Sequence, residues 1–372
     1  VRPAIPPPAT SATIHELRAS PDGGAYATFT LSGCEPGPCP EAQKLFRLGP
    51  DGTPDHAFNG PNGGVAVSVA AMMVDSENRP VVALSSGAKI RLVRFRRNGK
   101  PDPSFGAGGR VTLDCHCQEG IPAYLLRLRL RAGGGGKIVL TGFTKEQWKR
   151  PSRLWITRLL PDGTVDRGFG DRGATTMVVH KRDLVSLAVS PRGPIYLASA
   201  DCCGGVVRLQ KVSAKGVVDA GFDTRAARML AGIHPTPSAA TLMPRDDGRL
   251  DVFLRGGRGL TVRLRPNGEA ATGFGRRGLL PGPSVESVAR AGGGRTFAVV
   301  WRGGARLVRL RADGRVDPGF GGSRGFPIPD THGPVYVEAV NGNGAMVVDT
   351  GRVTCRSGCF SHTPKFIRYL GS

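Results

Sequence analysis

Residues 158–173 read RLLPDGTVDRGFGDRG, and five other stretches of the chain repeat that phrasing. They begin at Arg47 (RLGPDGTPDHAFNG), Arg94 (RFRRNGKPDPSFGAGG), Lys211 (KVSAKGVVDAGF), Arg263 (RLRPNGEAATGFG) and Arg309 (RLRADGRVDPGFG). Most copies place Asp-Gly or Asn-Gly between apolar runs, a strong hairpin signal. The turn glycines are Gly52, Gly99, Gly163, Gly216, Gly268 and Gly314, separated by 47, 64, 53, 52 and 46 residues. FIRYL, from Phe366, matches the start of a seventh copy, with Arg368 as its basic residue.

A second unit recurs between these segments: two apolar stretches around a tight turn, as in LAVSPRGPIYLASA from Leu187 and SVARAGGGRTFAVVW from Ser287. Seven such units start near Ile14, Val69, Leu125, Leu184, Ala240, Val285 and Val335. Each period then reads strand a, turn, strand b, loop, strand c, Gly turn and a short strand d such as GRVTL. Four antiparallel strands per repeat of about 50 residues is the pattern of a β-propeller blade. The expected fold is therefore all-β: a seven-bladed propeller of four-stranded antiparallel blades forming a single domain over residues 1–372. The expected blades are 11–68, 69–114, 121–178, 183–230, 237–281, 284–328 and 333–372, the last completed by residues 1–7. Val1–Ile5 would supply its missing strand d, a closure that removes an exposed sheet edge.

The DG-x-x-D-x-x-F-G segment resembles the delta-60 repeat of exported bacterial proteins, over nearly the whole chain. Copy 5 departs from it with Ala271 where Asp belongs, and copy 4 has Lys215-Gly216 at the turn. The resemblance implies a propeller and export, and it implies no catalytic residue.

Composition agrees. With 55 Gly and 30 Pro among 372 residues, few uninterrupted helical windows remain, which excludes a long-helix bundle. No apolar run reaches the roughly 18–20 residues of a membrane helix. Lys plus Arg is 51 against 29 Asp plus Glu, a net charge of +22 that attracts polyanions. GC-rich coding accounts for part of the Arg content. Eight cysteines form four close pairs: Cys34 with Cys39, Cys115 with Cys117, Cys202 with Cys203, and Cys355 with Cys359. Their spacing does not match a zinc pattern and suggests local disulfides in an oxidising compartment. The second and third pairs would be strained as bridges, with reduced thiols the alternative. The chain starts at Val1 with no apolar leader, which reads as a secreted or cell-envelope bacterial protein whose signal peptide has been removed.

Features present in every repeat belong to blade construction. The basic residue lies five before each turn Gly, an Asp three after it (Asp55, Asp102, Asp166, Asp219, Asp317) and a Phe six after it. We expect the Phe to plug between blades, and the Asp to cap the turn or pair with the basic residue. The Gly133–Gly136 and Gly292–Gly294 runs sit in a–b turns, and Lys137 is followed by Ile138, so a phosphate-loop reading fails.

Function is sought in what differs between blades. Strands alternate in direction, so d–a and b–c connections share one face, here called the top. His116, His180, His234 and His332 lie in d–a connections, His15 starts strand a, and His362 lies in the last b–c loop. Single histidines in long loops are usually capping or surface residues, so the ensemble carries the argument. It suggests His180, His234 and His332 as bases with Tyr336 as proton donor. Lys181 and Arg182 would neutralise a uronate carboxylate. Trp148, Lys149, Arg150 and Trp301 would add stacking and charge for the polymer. A weaker alternative places a divalent metal on His15, His116, Asp183 and His362. No GxSxG elbow is present, and His15-Glu16-Leu17-Arg18-Ala19 fails HExxH.

The expected function is binding, and cleavage in a lyase- or hydrolase-like manner, of an acidic polysaccharide or cell-envelope polymer. The alternative is a non-enzymatic envelope scaffold for a protein or anionic partner. Basic residues alternating along strands, with no recognition helix, disfavour nucleic acid.

Overall fold

The computed structural model describes residues 11–32, 43–51, 53–60, 64–67, 69–86, 89–114, 126–144, 152–179, 186–199, 207–233, 237, 239–255, 259–290, 295–329, 335–340, 344–349 and 365–370. They form seven antiparallel sheets, each laid down in chain order. The first holds β1 (Ser11–Ala19), β2 (Ala25–Ser32), β3 (Lys44–Leu48) and β4 (Val65–Ala66). The second holds β5 (Ala71–Val74), β6 (Pro80–Ser86), β7 (Lys89–Arg94) and β8 (Arg110–Asp114). The third holds β9 (Leu126–Ala132), β10 (Ile138–Thr144), β11 (Ser152–Leu159) and β12 (Ala174–Val179). The fourth has three strands, β13 (Ser186–Val189), β14 (Ile195–Ser199) and β15 (Arg208–Val212). The fifth holds β16 (Ala239–Pro244), β17 (Leu250–Arg255), β18 (Gly259–Leu264) and β19 (Leu279–Gly282). The sixth holds β20 (Ser284–Arg290), β21 (Thr296–Trp301), β22 (Ala305–Leu310) and β23 (Phe326–Pro327). The seventh has three strands, β24 (Val335–Val340), β25 (Gly344–Asp349) and β26 (Lys365–Leu370).

The first strands meet in sequence: β1 touches β5, then β9, β13, β16, β20 and β24 follow, and β24 touches β1. That circuit is a propeller with its first strands innermost. Among the described residues two α-helices interrupt it, α1 (His56–Asn59) and α2 (Ala220–Ala231). The Val1–Ile5 closing strand falls outside the described residues.

The expectation of four strands in every blade fails at the fourth sheet, where α2 stands in place of strand d and packs against β15. After Phe222 the chain reads DTRAARMLA, rich in helix formers and without period-two alternation. Asp219 caps the helix by accepting from the Phe222 N–H at 2.9 Å. Phe222, Ala226 and Leu230 form its buried stripe. The helix thus covers the edge that β15 would otherwise present.

The repeated segment is a clasp between neighbouring sheets. In copy 3, the Gly163 N–H bonds Leu160 O at 2.9 Å and the Leu160 N–H bonds Thr164 O at 2.8 Å, a type I turn followed by a left-handed glycine. The Asp166 N–H then returns to Arg158 O at 2.9 Å, which sets the two side chains together. Arg158 Nε donates to Asp166 Oδ2 at 2.8 Å, its guanidinium lies 4.4 Å from the Phe169 ring centroid, and its Nη1 reaches Ala214 O of the next sheet at 2.6 Å. Arg94 repeats this with Asp102, Phe105 and Pro161 O, and Lys211 with Asp219, Phe222 and Pro266 O. Arg309 pairs with Asp317 and faces Phe320, while Arg47 pairs with Asp55 and Asp22.

Phe58, Phe105, Phe169, Phe222 and Phe274 each seat against the turn of the following sheet. A Cβ on Gly163 would lie 2.8 Å from the Phe105 ring, and one on Gly314 would lie 2.7 Å from Phe274. Only glycine supplies both this clearance and the positive φ, +87° at Gly163. Buried apolar clusters fill the spaces between sheets, such as Met73, Ile90 and Phe105 against Leu130, Leu140 and Trp155.

Candidate functional site

The ring leaves a central cavity of about 440 Å³ walled by strands from every sheet. Its polar lining includes Arg18 from β1, Arg129 and Arg131 from β9, Ser186 from β13, Thr241 from β16 and Glu286 from β20. β9 reads LRLRLRA, and Arg129 and Arg131 alternate along it with Leu128 and Leu130, which are buried between sheets.

Two of the inner strands carry a matching irregularity. Pairing of β1 with β2 skips between Ile14 and Glu16, and pairing of β20 with β21 skips between Val285 and Ser287. His15 and Glu286 therefore hold equivalent bulge positions. The residues just after the bulges tie the ring together. Glu16 Oε2 accepts from the Met72 N–H at 2.9 Å, and Ser287 Oγ from the Val337 N–H at 2.8 Å. Glu16 also pairs with Arg18 at 3.2 Å. Glu286 accepts from Arg255 Nη1 at 2.5 Å, and its carbonyl from Thr241 Oγ1 at 3.3 Å.

Of the residues proposed from sequence, Trp301 ends β21 with its side chain 52% exposed, next to exposed Arg302. Tyr336 lies in β24, paired with Val348, and His15 lies at the β1 bulge; their side chains fall outside what the structure describes. His180, His234, His332, Trp148, Lys149, Arg150, Lys181, Arg182, His116, Asp183 and His362 lie outside the described residues. The local disulfides expected from sequence are not among the described contacts either. Cys34 and Cys39 follow β2, Cys115 and Cys117 follow β8, Cys202 and Cys203 follow β14, and Cys355 and Cys359 follow β25, all outside the described residues. The pairing of these eight residues is therefore an expectation from spacing alone. No group of three His, Cys, Asp or Glu side chains placed to hold a metal occurs among the described residues. Trp155, in β11, is 3% exposed and packs between sheets over Gly142.

Sequence reasoning missed the channel arginines, because it looked for function in connections rather than strands. The signal was present in the alternation of Arg127, Arg129 and Arg131.

Perturbed carboxyl groups mark the clasps instead. Burial raises the Asp102 carboxyl, but hydrogen bonds from Ser104 and the charge of Arg94 outweigh it and hold it below the usual range. The Lys137 bond, with Arg158, lowers Asp166 against the effect of burial. On α2, burial pushes Asp223 up to about 6, with the Asp219 charge adding to it.

No family model and no curated protein matches the sequence. Solved structures share its fold at low identity. The chain is similar to the polysaccharide lyase Uly1 with a TM-score of 0.50 and 9% identity, covering 99% of this chain and 91% of that one. It is also similar to the Pyrococcus horikoshii acylaminoacyl peptidase with a TM-score of 0.51 and 8% identity, covering 91% of this chain. The match takes in 49% of the peptidase, so the chain spans about half its length. At such identities the likeness shows the fold alone, and the chain belongs to the class of all-β propellers. No helix among the described residues is long and apolar enough to cross a membrane.

Proposed function

We propose that this protein is an exported propeller that binds and cleaves an acidic polysaccharide on the face carrying its d–a connections. The observation that carries the reading is where the charge is spent. The clasp cations Arg47, Arg94, Arg158, Lys211, Arg263 and Arg309 each face a carboxylate, so the architecture is electrically balanced. The chain is nevertheless at +22. That surplus lies outside the repeated scaffold and suits a polyanion. Exposed Trp301 beside Arg302 adds a stacking surface for a sugar ring on the same face. In this reading His180, His234 and His332 act as bases or metal ligands, Tyr336 donates the proton, and Lys181 and Arg182 hold a uronate.

The finer fold reading goes with it. Each of the seven sheets is one blade, Val1–Ile5 pairs with β26 as the missing strand, and the repeat is of the delta-60 type. The cysteine pairs close local loops as disulfides, in keeping with export. Deleting residues 1–7 should then lower Tm, and an unchanged Tm would refute that closure.

The functional test incubates purified protein with acidic and neutral polysaccharides, with and without divalent metal, and reads fragments by mass spectrometry. Unsaturated or hydrolysed fragments from acidic polymers, lost in His234→Ala or His332→Ala at unchanged Tm, are the expected result. Saturable, salt-sensitive binding to the polymer without fragments would move the protein to the scaffold reading. Equal binding to neutral polymers would overturn both.

A further inference from the structure

The face opposite the d–a connections departs from the repeat around the fourth sheet. The turn after β15, Ala214-Lys215-Gly216-Val217, carries a valine where the other copies have Thr53, Lys100, Thr164, Glu269 and Arg315. Val217 is 63% exposed, more than any other large hydrophobic among the described residues, and Val218 beside it is 36% exposed. The flanking loops are basic. In copy 2 the loop after the clasp closes through Ala107 and Gly108, with Gly108 at φ +60°. Copies 3 and 5 place Arg172 and Arg277 there, at φ +49° and +53°, a backbone region that a residue with a Cβ seldom enters. The loop closes with glycine, so these arginines are additions to it. The elements are contiguous. The Gly170 N–H, in the Arg172 loop, bonds Lys215 O at 2.8 Å, and Arg225 Nε of α2 bonds Asn267 O, in the turn before the Arg277 loop, at 2.7 Å. Across residues 160–173, 213–231 and 265–278, eight Lys and Arg stand against four Asp and Glu, leaving aside the clasp residues Asp166 and Asp219. Arg167, Arg172, Lys215, Arg276 and Arg277 are exposed, and none has an ion pair among the described residues. The a–b turn of the fifth sheet, on the same face, adds Asp246 and Asp247, which are paired with Arg290 and Arg249.

We propose that this face docks on a lipid bilayer with anionic headgroups, with Val217 and Val218 as its apolar apex and Arg172, Lys215, Arg276 and Arg277 as the flanking cations. An exposed apolar residue set among cations suits the boundary between phosphate headgroups and acyl chains, where both kinds of group are satisfied. A soluble polyanion would engage the cations and leave the valines in water. The face is built of turn tips rather than a cavity, so it meets a broad surface instead of enclosing a small ligand. Docking here turns the d–a connections away from the bilayer. The inference stands apart from the polysaccharide reading, since its residues lie at the opposite ends of the strands.

The test is co-sedimentation of the full chain with vesicles of phosphatidylcholine alone or mixed with phosphatidylglycerol. Binding to the mixed vesicles only, weakened by added salt, is the expected result. Arg172→Gly combined with Arg277→Gly gives both loops the glycine of copy 2, so Tm should hold. Partitioning onto mixed vesicles should fall by about tenfold or more, since each cation near an anionic surface is worth roughly fivefold. Arg91→Gln, exposed in β7 away from this face, should leave partitioning unchanged. Val217→Trp should bind more tightly, and its emission should shift to the blue on mixed vesicles beyond any change in the parent. No binding to mixed vesicles, or equal binding to both kinds, would overturn the proposal, as would an equal loss with Arg91→Gln. Binding that leaves the Val217→Trp emission unshifted would overturn it too, because the cations would then be acting without the apex, as they would toward a soluble polyanion.

Discussion

A single departure from the repeat shows what the clasp requires. In copy 5 the expected Asp is Ala271, yet the Ala271 N–H still bonds Arg263 O at 2.8 Å, so the backbone is unchanged. Arg263 lies 3.9 Å from the Phe274 ring centroid and is buried, and a buried guanidinium needs a carboxylate. It finds one in Asp251, directly opposite on β17, at 2.6 and 2.9 Å. The equivalent β-strand position in the second and third sheets is Val81 and Val139. The negative charge has moved across the sheet while the pair has been kept. Asp251→Val should therefore cost about 3–5 kcal/mol, because it strands a buried cation. Adding Ala271→Asp to that variant should recover most of the loss, since it rebuilds the arrangement of Arg158 with Asp166. Urea unfolding of the single and double variants checks this, and a double variant no more stable than the single would show that the carboxylate's position, not its presence, matters. The sequence displayed the missing Asp of copy 5. It did not display the replacement, because the partner is distant in the repeat and becomes adjacent only through strand pairing.

At the scale of elements, the repeat segment was legible because its turn chemistry is local: glycine, Asx residue and the Phe that the next glycine accommodates. Phe169 is fully buried against the following sheet, and Phe169→Ala should cost roughly 3–5 kcal/mol, read as a lowered Tm with unchanged secondary structure. The fourth sheet was less legible, because expectation from the other repeats supplied a strand where local propensity makes α2. That helix carries its own pH dependence. Asp223 is pushed up to about 6 by burial, above the roughly 3.9 of an unfolded Asp. A raised carboxyl favours the folded state fully below the unfolded value and loses that advantage as pH rises toward 6. Asp223→Asn keeps an oxygen for the Lys211 N–H, which Asp223 Oδ1 now accepts at 3.0 Å. It should stabilise the protein at pH 7 by about 1 kcal/mol after allowance for partial exposure, with no gain near pH 4. A gain that is the same at both values would show that charge on Asp223 is not the cause. The candidate site was the least legible element. Histidines in connections announce themselves by residue type, whereas the channel arginines look in sequence like solvent-facing positions of amphipathic strands. Only the closing of the ring turns that outer face of each strand inward.

Across the whole molecule, the clasps link neighbouring sheets in series, so their protonation is a global event. Asp102, Asp166, Asp219 and Asp317 all titrate below the usual carboxylate range. In Asp219 and Asp317 burial works upward but is outweighed, by the Phe222 N–H and Lys211 in one and by the Arg309 bond in the other. A lowered carboxyl contributes stability that is complete above its unfolded value and is lost as pH falls through the folded one. The same protons raise a charge that already stands at +22, so self-repulsion grows as the bridges between sheets are released. The two effects separate in salt. Repulsion among exposed cations is screened over about 10 Å at 0.1 M, whereas added salt does not remove the proton from a clasp carboxyl or restore its bridge. The urea midpoint should therefore hold between pH 7 and pH 5 apart from the Asp223 contribution, then fall steeply below about pH 4. Added sodium chloride at pH 3 should return part of the loss and leave the rest. Full recovery in salt would mean that the clasps contribute little and that repulsion alone drives acid unfolding. No recovery would mean that the surplus charge is too dispersed to strain the ring, and the unfolding would then belong entirely to the Asp residues that join one sheet to the next.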